Sequence, residues 1–412
     1  MAKHQNSEII VSLDIGSTKV LAIVAEKTTD GIHILGYGKK NSDGVKKGII
    51  VNIDKVVVAI KSAIRDAELM AGCEINTVYA GISGDHIDSL TSGGRISILN
   101  GEIDKDDVTR VIQSAEAISI PANRDVIHVL VQSFIIDGKT EVDNPIGMHG
   151  DILEAKVHIV TGEISTIKNI AKSIAQCGLE IVSTILEPLA VSYTVLNNDE
   201  KNLGVCVVDI GGGTTDIAVY VNGSLQHTAV FPIAGISVTN DIMYAFNASQ
   251  ENAEKLKKKY GFALAELLKD EEKFIEVEHM SDSEMHKLSN RTLAEVIEPR
   301  YEEIFTQIKN NLQLEGYENL IPSGFVLSGG GSKIKGCTHL AESIFNKPVR
   351  LGNNDGVKGL DNMKSNTTFS TAIGLILFSQ DKKMHSYNFQ KRIFSFSGRG
   401  FFGNIKRWLS HF

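Results

Sequence analysis

Asp209-Ile210-Gly211-Gly212-Gly213-Thr214-Thr215-Asp216 follows the apolar run 205–208 and leads into another, 217–221. An earlier stretch, Asp14-Ile15-Gly16-Ser17-Thr18-Lys19-Val20, stands in the same way between the runs 9–13 and 20–25. Each reads as a strand, a tight Gly-rich turn and a returning strand. Glycine lets backbone N–H groups close on phosphate oxygens with no Cβ in the way. The small hydroxyl residues beside the glycines add donors. The aspartate ending each first strand, Asp14 or Asp209, is placed to hold Mg²⁺ through its waters. One such hairpin is a weak signal; two, from duplicated halves, describe a nucleotide clamp.

The rest of the chain has room for such halves. It has 412 residues, enough for two or three units, and 42% apolar residues, enough for a large core. A net charge of −8 gives no ground for nucleic-acid binding. Cys73, Cys177, Cys206 and Cys337 are scattered with no C-x-x-C pair, which predicts buried free thiols and a cytoplasmic setting. The first apolar run breaks at Asp14, too soon for a signal peptide or a membrane span, and the run 372–378 is also too short to cross a bilayer.

Working outward, the spacing predicts a strand over 32–38, a helix over 54–70 closed by Gly72, and a strand over 75–82. Residues 84–162 read as a separate module, with a helix over 104–118 and strands over 126–136 and 153–160. The parent unit resumes with a helix over 165–176, a strand over 179–185 and a helix opening at Glu187-Pro188. Residues 235–313 read as a helical region, kinked or broken at Pro299. A strand over 325–327 then runs into Ser328-Gly329-Gly330-Gly331-Ser332, followed by a helix (340–345), a strand (349–351) and a last helix (371–378). A side-chain-free glycine surface of this kind can pack flat against a base or ribose, although plain turns share the pattern. Glu254 and Lys257, three apart on a helix, share a face that could reach a ribose or base, or simply face solvent.

With these elements in order, the chain resembles the actin-like ATPase superfamily over residues 9–378. The match rests on DIGSTKV, the helix opening EPLA at Glu187, DIGGGTTD, SGGGS and the TAIG helix at Thr371. The resemblance implies an α/β actin-like fold: two ribonuclease H-like halves around a nucleotide cleft. It implies that Asp14 and Asp209 serve Mg²⁺. By the same resemblance Ser17, Thr18, Lys19, Gly211, Gly212, Gly213, Thr214 and Thr215 bind ATP phosphates. Glu254, Lys257, Gly329, Gly330 and Gly331 would bind adenosine. Glu187 would orient a water toward the γ-phosphate; from its position alone it is equally a helix-start carboxylate favoured by the dipole.

In most of that superfamily the first large insertion follows the third strand. Here the loop 39–53 leaves no room for a domain, and the module follows the strand at 75–82 instead. That displacement resembles the bacterial cell-division family FtsA and, less closely, the pilus-assembly family PilM. The strings GIIVNID at Gly48, VYAGISG at Val78, AEKLKKKYG at Ala253 and VIEPRYEE at Val296 agree with FtsA. The organisation expected is a first core at 8–83 and 163–200, the inserted module at 84–162, and a second core at 201–234 and 314–380. A helical subdomain at 235–313, a flexible linker at 381–399 and an amphipathic membrane-targeting helix at 400–412 complete it.

The terminal segment supports this independently. Phe401, Phe402, Ile405, Trp408, Leu409 and Phe412 form one apolar stripe on a helix, and Lys406 and Arg407 are basic, the pattern of an interfacial anchor. A helix docked on the protein's own core would share it. The resemblance further implies a head-to-tail polymer with itself and peripheral attachment to the anionic cytoplasmic face of the inner membrane at the division site. It implies docking of the C-terminal peptide of FtsZ on 235–313, with Arg300 as candidate contact, and recruitment of later division proteins. Any ATPase activity is expected to be weak. The alternatives are a PilM-like pilus-assembly protein, or a kinase or chaperone of the same superfamily. For a kinase, Asp216 is a nearby acid, but no sugar-binding signature is present.

Overall fold

The computed structural model describes residues 8–268, 273–278, 285–359 and 363–381. Two sheets of matching design form its body. In the first, the strands run in the order Glu180–Leu186, Thr77–Ile82, Glu8–Ile15, Lys19–Thr28, Gly31–Asn41 and Val357–Lys358. In the second the order is Val349–Leu351, Phe325–Ser328, Val205–Ile210, Thr215–Val221 and Ser224–Phe231. Each has a three-strand antiparallel meander followed by two parallel strands on the same side. Both meanders begin at a strand ending in one of the two glycine turns, so the turns occupy equivalent places in the duplicated halves. Strands buried on both faces explain the unbroken apolar runs: Val205–Ile210 is buried at every position.

Helix Ile53–Ala71 covers the first sheet. Asn52 caps its N-terminus by accepting from the Lys55 N–H at 3.0 Å, and Gly72, at φ +69°, ends it. The buried stripe is Val56, Ala59, Ile60, Ala63, Ile64 and Ala67, a helical spacing centred slightly to one side of Val57.

The inserted module has its own antiparallel sheet, ordered Ile87–Ser97, Ile152–Glu163, Arg124–Ile136 and Thr140–Val142. Helix Lys105–Glu116 lies on it, opened by a reciprocal capping box between Asp104 and Asp107. Val108, Val111 and Ile112 of that helix meet Phe134, Ile136 and Leu153 in a core separate from those of the two halves. The cysteines are free; Cys206 and Cys337 are buried, whereas Cys73 and Cys177 are half-buried.

Three expectations change. Helix Asn290–Leu314 runs through Pro299 without a break. Loss of one N–H is tolerated because Leu293, Ile297, Tyr301, Ile304, Phe305 and Ile308 bury a continuous stripe across it. The region 235–313 also carries a hairpin, Phe274–Glu278 with Met285–Ser289, beside its helices. Finally, the last part of 314–380 belongs physically to the first half. Val357–Lys358 pairs parallel with Gly31–Asn41, and Phe369, Ala372, Ile373 and Ile376 pack on Ile10, Leu21 and Ile23. Of the linker expected at 381–399 and the helix expected at 400–412, all but Asp381 lies outside the described residues.

Helix Ser370–Phe378 crosses helix Glu187–Val195 so closely that a Cβ on Gly374 would collide with the Ala190 carbonyl. Gly374→Val is therefore expected to destabilise the fold by about 3 kcal/mol, read as a lowered midpoint in thermal or urea unfolding.

Candidate functional site

The two glycine turns make the same internal bond. Gly16 N–H donates to Lys19 O, and Gly211 N–H donates to Thr214 O, both at 2.9 Å. The turns face each other across the halves. A Cβ at Gly212 would collide with the Thr18 side chain, and one at Gly213 with that of Ser17. The Ser17 hydroxyl in turn accepts from Gly48 N–H at 3.2 Å. Ser17, Thr18, Lys19, Gly211, Gly212, Gly213 and Thr214 line one cavity together with Asp14, Glu187, Asp209, Gly329 and Gly330.

Four carboxyl groups converge there. Asp14 is ion-paired with Lys19. Asp209 accepts from the Thr371 hydroxyl at 3.3 Å through Oδ2, while its buried Oδ1 has no partner. Asp216 accepts from Ser83 and, at 3.1 Å, from Thr214. Glu187 opens its helix with its carboxylate against Gly81. Burial pushes the Asp209 carboxyl up to about 6 and that of Asp216 up to about 7. Glu187 is held well above the usual carboxylate range by burial and by Asp14, Asp216 and Asp209. Among the described residues Lys19 is the one cation lining this cavity, and four carboxyl groups face it.

The remaining candidates lie at graded distances from this centre. Gly329, at φ +80°, sits against the Ile210 carbonyl and receives bonds from Ser332 (2.8 Å) and Thr367 (2.7 Å) on its own carbonyl. Gly331 packs on Ile210, and its carbonyl accepts from Tyr301 at 2.8 Å, so it lines the wall behind the cavity. Thr215 turns inward, its hydroxyl donating to Ile233 O at 2.7 Å. Glu254 and Lys257 pair at 2.6 Å, and Lys257 also donates to Gly235 O at 2.8 Å. Gly235 N–H and Ile236 N–H bond Gly211 O and Gly212 O, which places this pair just behind the second turn.

Arg300 is held elsewhere. It forms a two-pronged bond to Asp241 at 2.7 and 2.8 Å and pairs with Glu303. An incoming acid would have to compete with both. The stripe Phe401, Phe402, Ile405, Trp408, Leu409 and Phe412, with Lys406 and Arg407, lies outside the described residues. Among the described residues no helix is long and apolar enough to cross a membrane.

Sequence reasoning missed Ser83, Gly48, Thr367 and Thr368, which line the cavity, and gave Asp216 and Thr371 no place in it. Asp216 lies within the quoted motif and Thr371 within the TAIG string. Ser83 follows a strand whose end reaches the cleft only because that strand is parallel to Glu8–Ile15.

Duplicated halves with facing glycine turns over buried acids define an actin-like protein. Solved structures share that fold. A chain of the PilM–PilN type IV pilus biogenesis complex aligns with a TM-score of 0.66 at 16% identity, covering 90% of this chain and 98% of the other. MreB5 of Spiroplasma citri, in a structure bound to ADP, aligns at 0.57 and 16% identity, covering 92% and 99%. The family model for cell division protein FtsA matches residues 206–374, and that for the SHS2 domain inserted in FtsA matches 84–161. FtsA of Pseudomonas aeruginosa is 48% identical over 93% of this chain and 92% of its own length. FtsA of Escherichia coli K12 is 37% identical over 99% of both. The chain belongs to the FtsA family of cell division proteins.

The buried acids fix the sign of one pH effect. A carboxyl raised to about 7 when folded stabilises the fold below its unfolded pKa, near 4, and that stabilisation is lost as pH climbs through 7. Asp216→Asn, which cannot ionise, is expected to stabilise the ligand-free chain by about 2 kcal/mol at pH 8 and by little at pH 5. Thermal unfolding at the two pH values checks this.

Proposed function

We propose that this chain binds ATP with Mg²⁺ in the cleft between the glycine turns, polymerises head to tail on the cytoplasmic face of the inner membrane, and tethers FtsZ filaments there. The observation that carries the nucleotide reading is the pair of facing turns. The second brings backbone to a point where a Cβ at Gly212 or Gly213 would collide with Thr18 or Ser17, and the first brings the hydroxyls of Ser17 and Thr18 to that same point, an arrangement that suits phosphate oxygens.

The acids suit the cation. An all-oxygen set with surplus negative charge and an unpartnered buried Asp209 oxygen favours a hard divalent ion. Among the described residues no three acids stand close enough to chelate a metal directly, so Asp14 and Asp209 would hold Mg²⁺ through its waters. Bound there, the ion would neutralise phosphate charge. Lys19 and the hydroxyls of Ser17, Thr18 and Thr214 would orient the phosphates, with Gly329 and Gly330 under the nucleoside and Gly331, Glu254 and Lys257 as its outer wall. Glu187 would position a water.

The tether reading rests on the terminal stripe of Phe401, Phe402, Ile405, Trp408, Leu409 and Phe412. Burial of six such side chains would yield roughly 10 kcal/mol gross, at about 1.5–3 each, before the cost of ordering a free tail. Lys406 and Arg407 would add about 1 kcal/mol each on anionic lipid. The FtsZ tail peptide would dock on 235–313, near Arg300, and later division proteins on the inserted module.

Two measurements test this. Calorimetry with Mg·ATP should register binding that Asp209→Ala weakens at least tenfold; an absence of heat at millimolar nucleotide refutes the nucleotide reading. In flotation with anionic liposomes the full chain should rise with lipid and a chain lacking 401–412 should stay behind. Equal flotation of both would refute the tether.

A further inference from the structure

One strand of the inserted module touches both halves. On Arg124–Ile136, the His128 Nε2 accepts the N–H of Leu186 at 3.0 Å, fully inside the protein. Four residues on, Gln132 Nε2 donates to Leu225 O at 3.2 Å and Gln226 O at 3.0 Å, on the outer strand of the second sheet.

Leu186 is the N-cap residue of the helix whose first residue is Glu187. Side chains at that helix start supply no cap of their own, and Pro188 removes a donor from the first turn. The Leu186 side chain is buried in the core of the first half, whereas the side of the turn toward the second half is open. Leu186 and Pro188 line a polar cavity of about 300 Å³ shared with His158, Gln226 and Tyr317. Leu186 also ends the strand Glu180–Leu186, in register with Ile82, so the His128 bond adds a side-chain hold to the sheet pairing on the backbone that carries Glu187 into the cleft. The Phe378 ring fixes the imidazole edge to face at 6.2 Å. An accepting Nε2 needs a neutral ring, and burial, which lowers the His128 pKa to about 4, keeps it neutral.

We propose that His128 is a positioning residue for Glu187, so that the inserted module sets the geometry of nucleotide turnover in the cleft. The inference rests on the ATP reading above. In the step concerned, a water oxygen bonds to the γ-phosphorus and its proton passes to the Glu187 carboxylate. The bond from phosphorus to the bridging oxygen breaks, and its electron pair leaves with ADP. Ionised Glu187 is the acceptor. A turn rotated by a lost bond would misplace that acceptor without touching the groups that hold the phosphates.

The test uses the full chain with His128→Leu, which fills the space but cannot accept, and His128→Gln, which can. Gln132→Ala loosens the same strand from the second half without touching Leu186. ATP affinity is read by calorimetry, kcat and KM by turnover of labelled ATP, and the hold on the turn by amide hydrogen exchange over 183–192. His128→Leu should lower kcat about tenfold with ATP affinity within about twofold, and should speed exchange at Leu186. His128→Gln should restore both, and Gln132→Ala should leave both unchanged. The proposal is overturned if His128→Leu keeps wild-type kcat and exchange, or loses ATP affinity in parallel. It is equally overturned if Gln does not rescue, if Gln132→Ala lowers kcat equally, or if wild type binds ATP without turnover. Wild type that binds no ATP overturns the ATP reading instead, while the exchange comparison still decides whether His128 holds the turn.

Discussion

Three buried aspartates and Glu187 facing one lysine form the constraint around which the rest of this molecule is arranged. Desolvation of like charges at one spot is costly unless the groups are protonated, hydrogen-bonded or offered a cation. The fold does some of each. Asp14 takes Lys19, Asp216 takes Ser83 and Thr214, and Asp209 takes Thr371. The raised carboxyls of Asp209, Asp216 and Glu187 are the remainder. Every one of these partners comes from a different strand or helix end. The cleft is consequently a point at which both halves, the strand leading to the module and the closing helix all converge.

Duplication explains why the convergence is geometrically possible. Each half offers the same meander and the same glycine turn with the same internal bond. Their sheets differ mainly at the edges. The first recruits Val357–Lys358, a strand made by chain that has just left the second half. That return puts helix Ser370–Phe378 beside Glu187–Val195, with Gly374 against the Ala190 backbone. The halves are thus not independent beads. Chain from the second closes the core of the first, and the cleft lies between parts already tied together behind it.

The legible parts of the sequence were those where local rules and tertiary need agree. The quoted motifs demand glycine for close approach, so their turns and most of their cleft-facing residues could be named from spacing alone. Helix Ile53–Ala71 announced itself through its period and the Gly72 stop. What could not be read came from long-range placement. Thr215 sits in the motif beside Thr214, yet strand alternation sends its hydroxyl inward to Ile233. Pro299 read as a kink or break, but burial on both sides of it outweighs one missing bond and the helix runs through. Arg300 looked free because nothing local reveals Asp241, which arrives from another helix. Ser83 has no motif at all; only the order of strands in the sheet brings it to Asp216.

The same logic explains how the cleft is connected to the end of the described chain. Helices Glu187–Val195 and Ser370–Phe378 lie in backbone contact, and each has one end at the acids, through Glu187 and through Thr371 bonded to Asp209. At the far end Tyr193 donates to Asp381 at 2.7 Å, and the Lys201 ammonium lies over the Tyr193 ring at 4.8 Å. Thr194 bonds back to Ser370 O at 3.1 Å, which ties the two helices along their length. The two helices thus connect the acids of the cleft to Asp381, the last of the described residues.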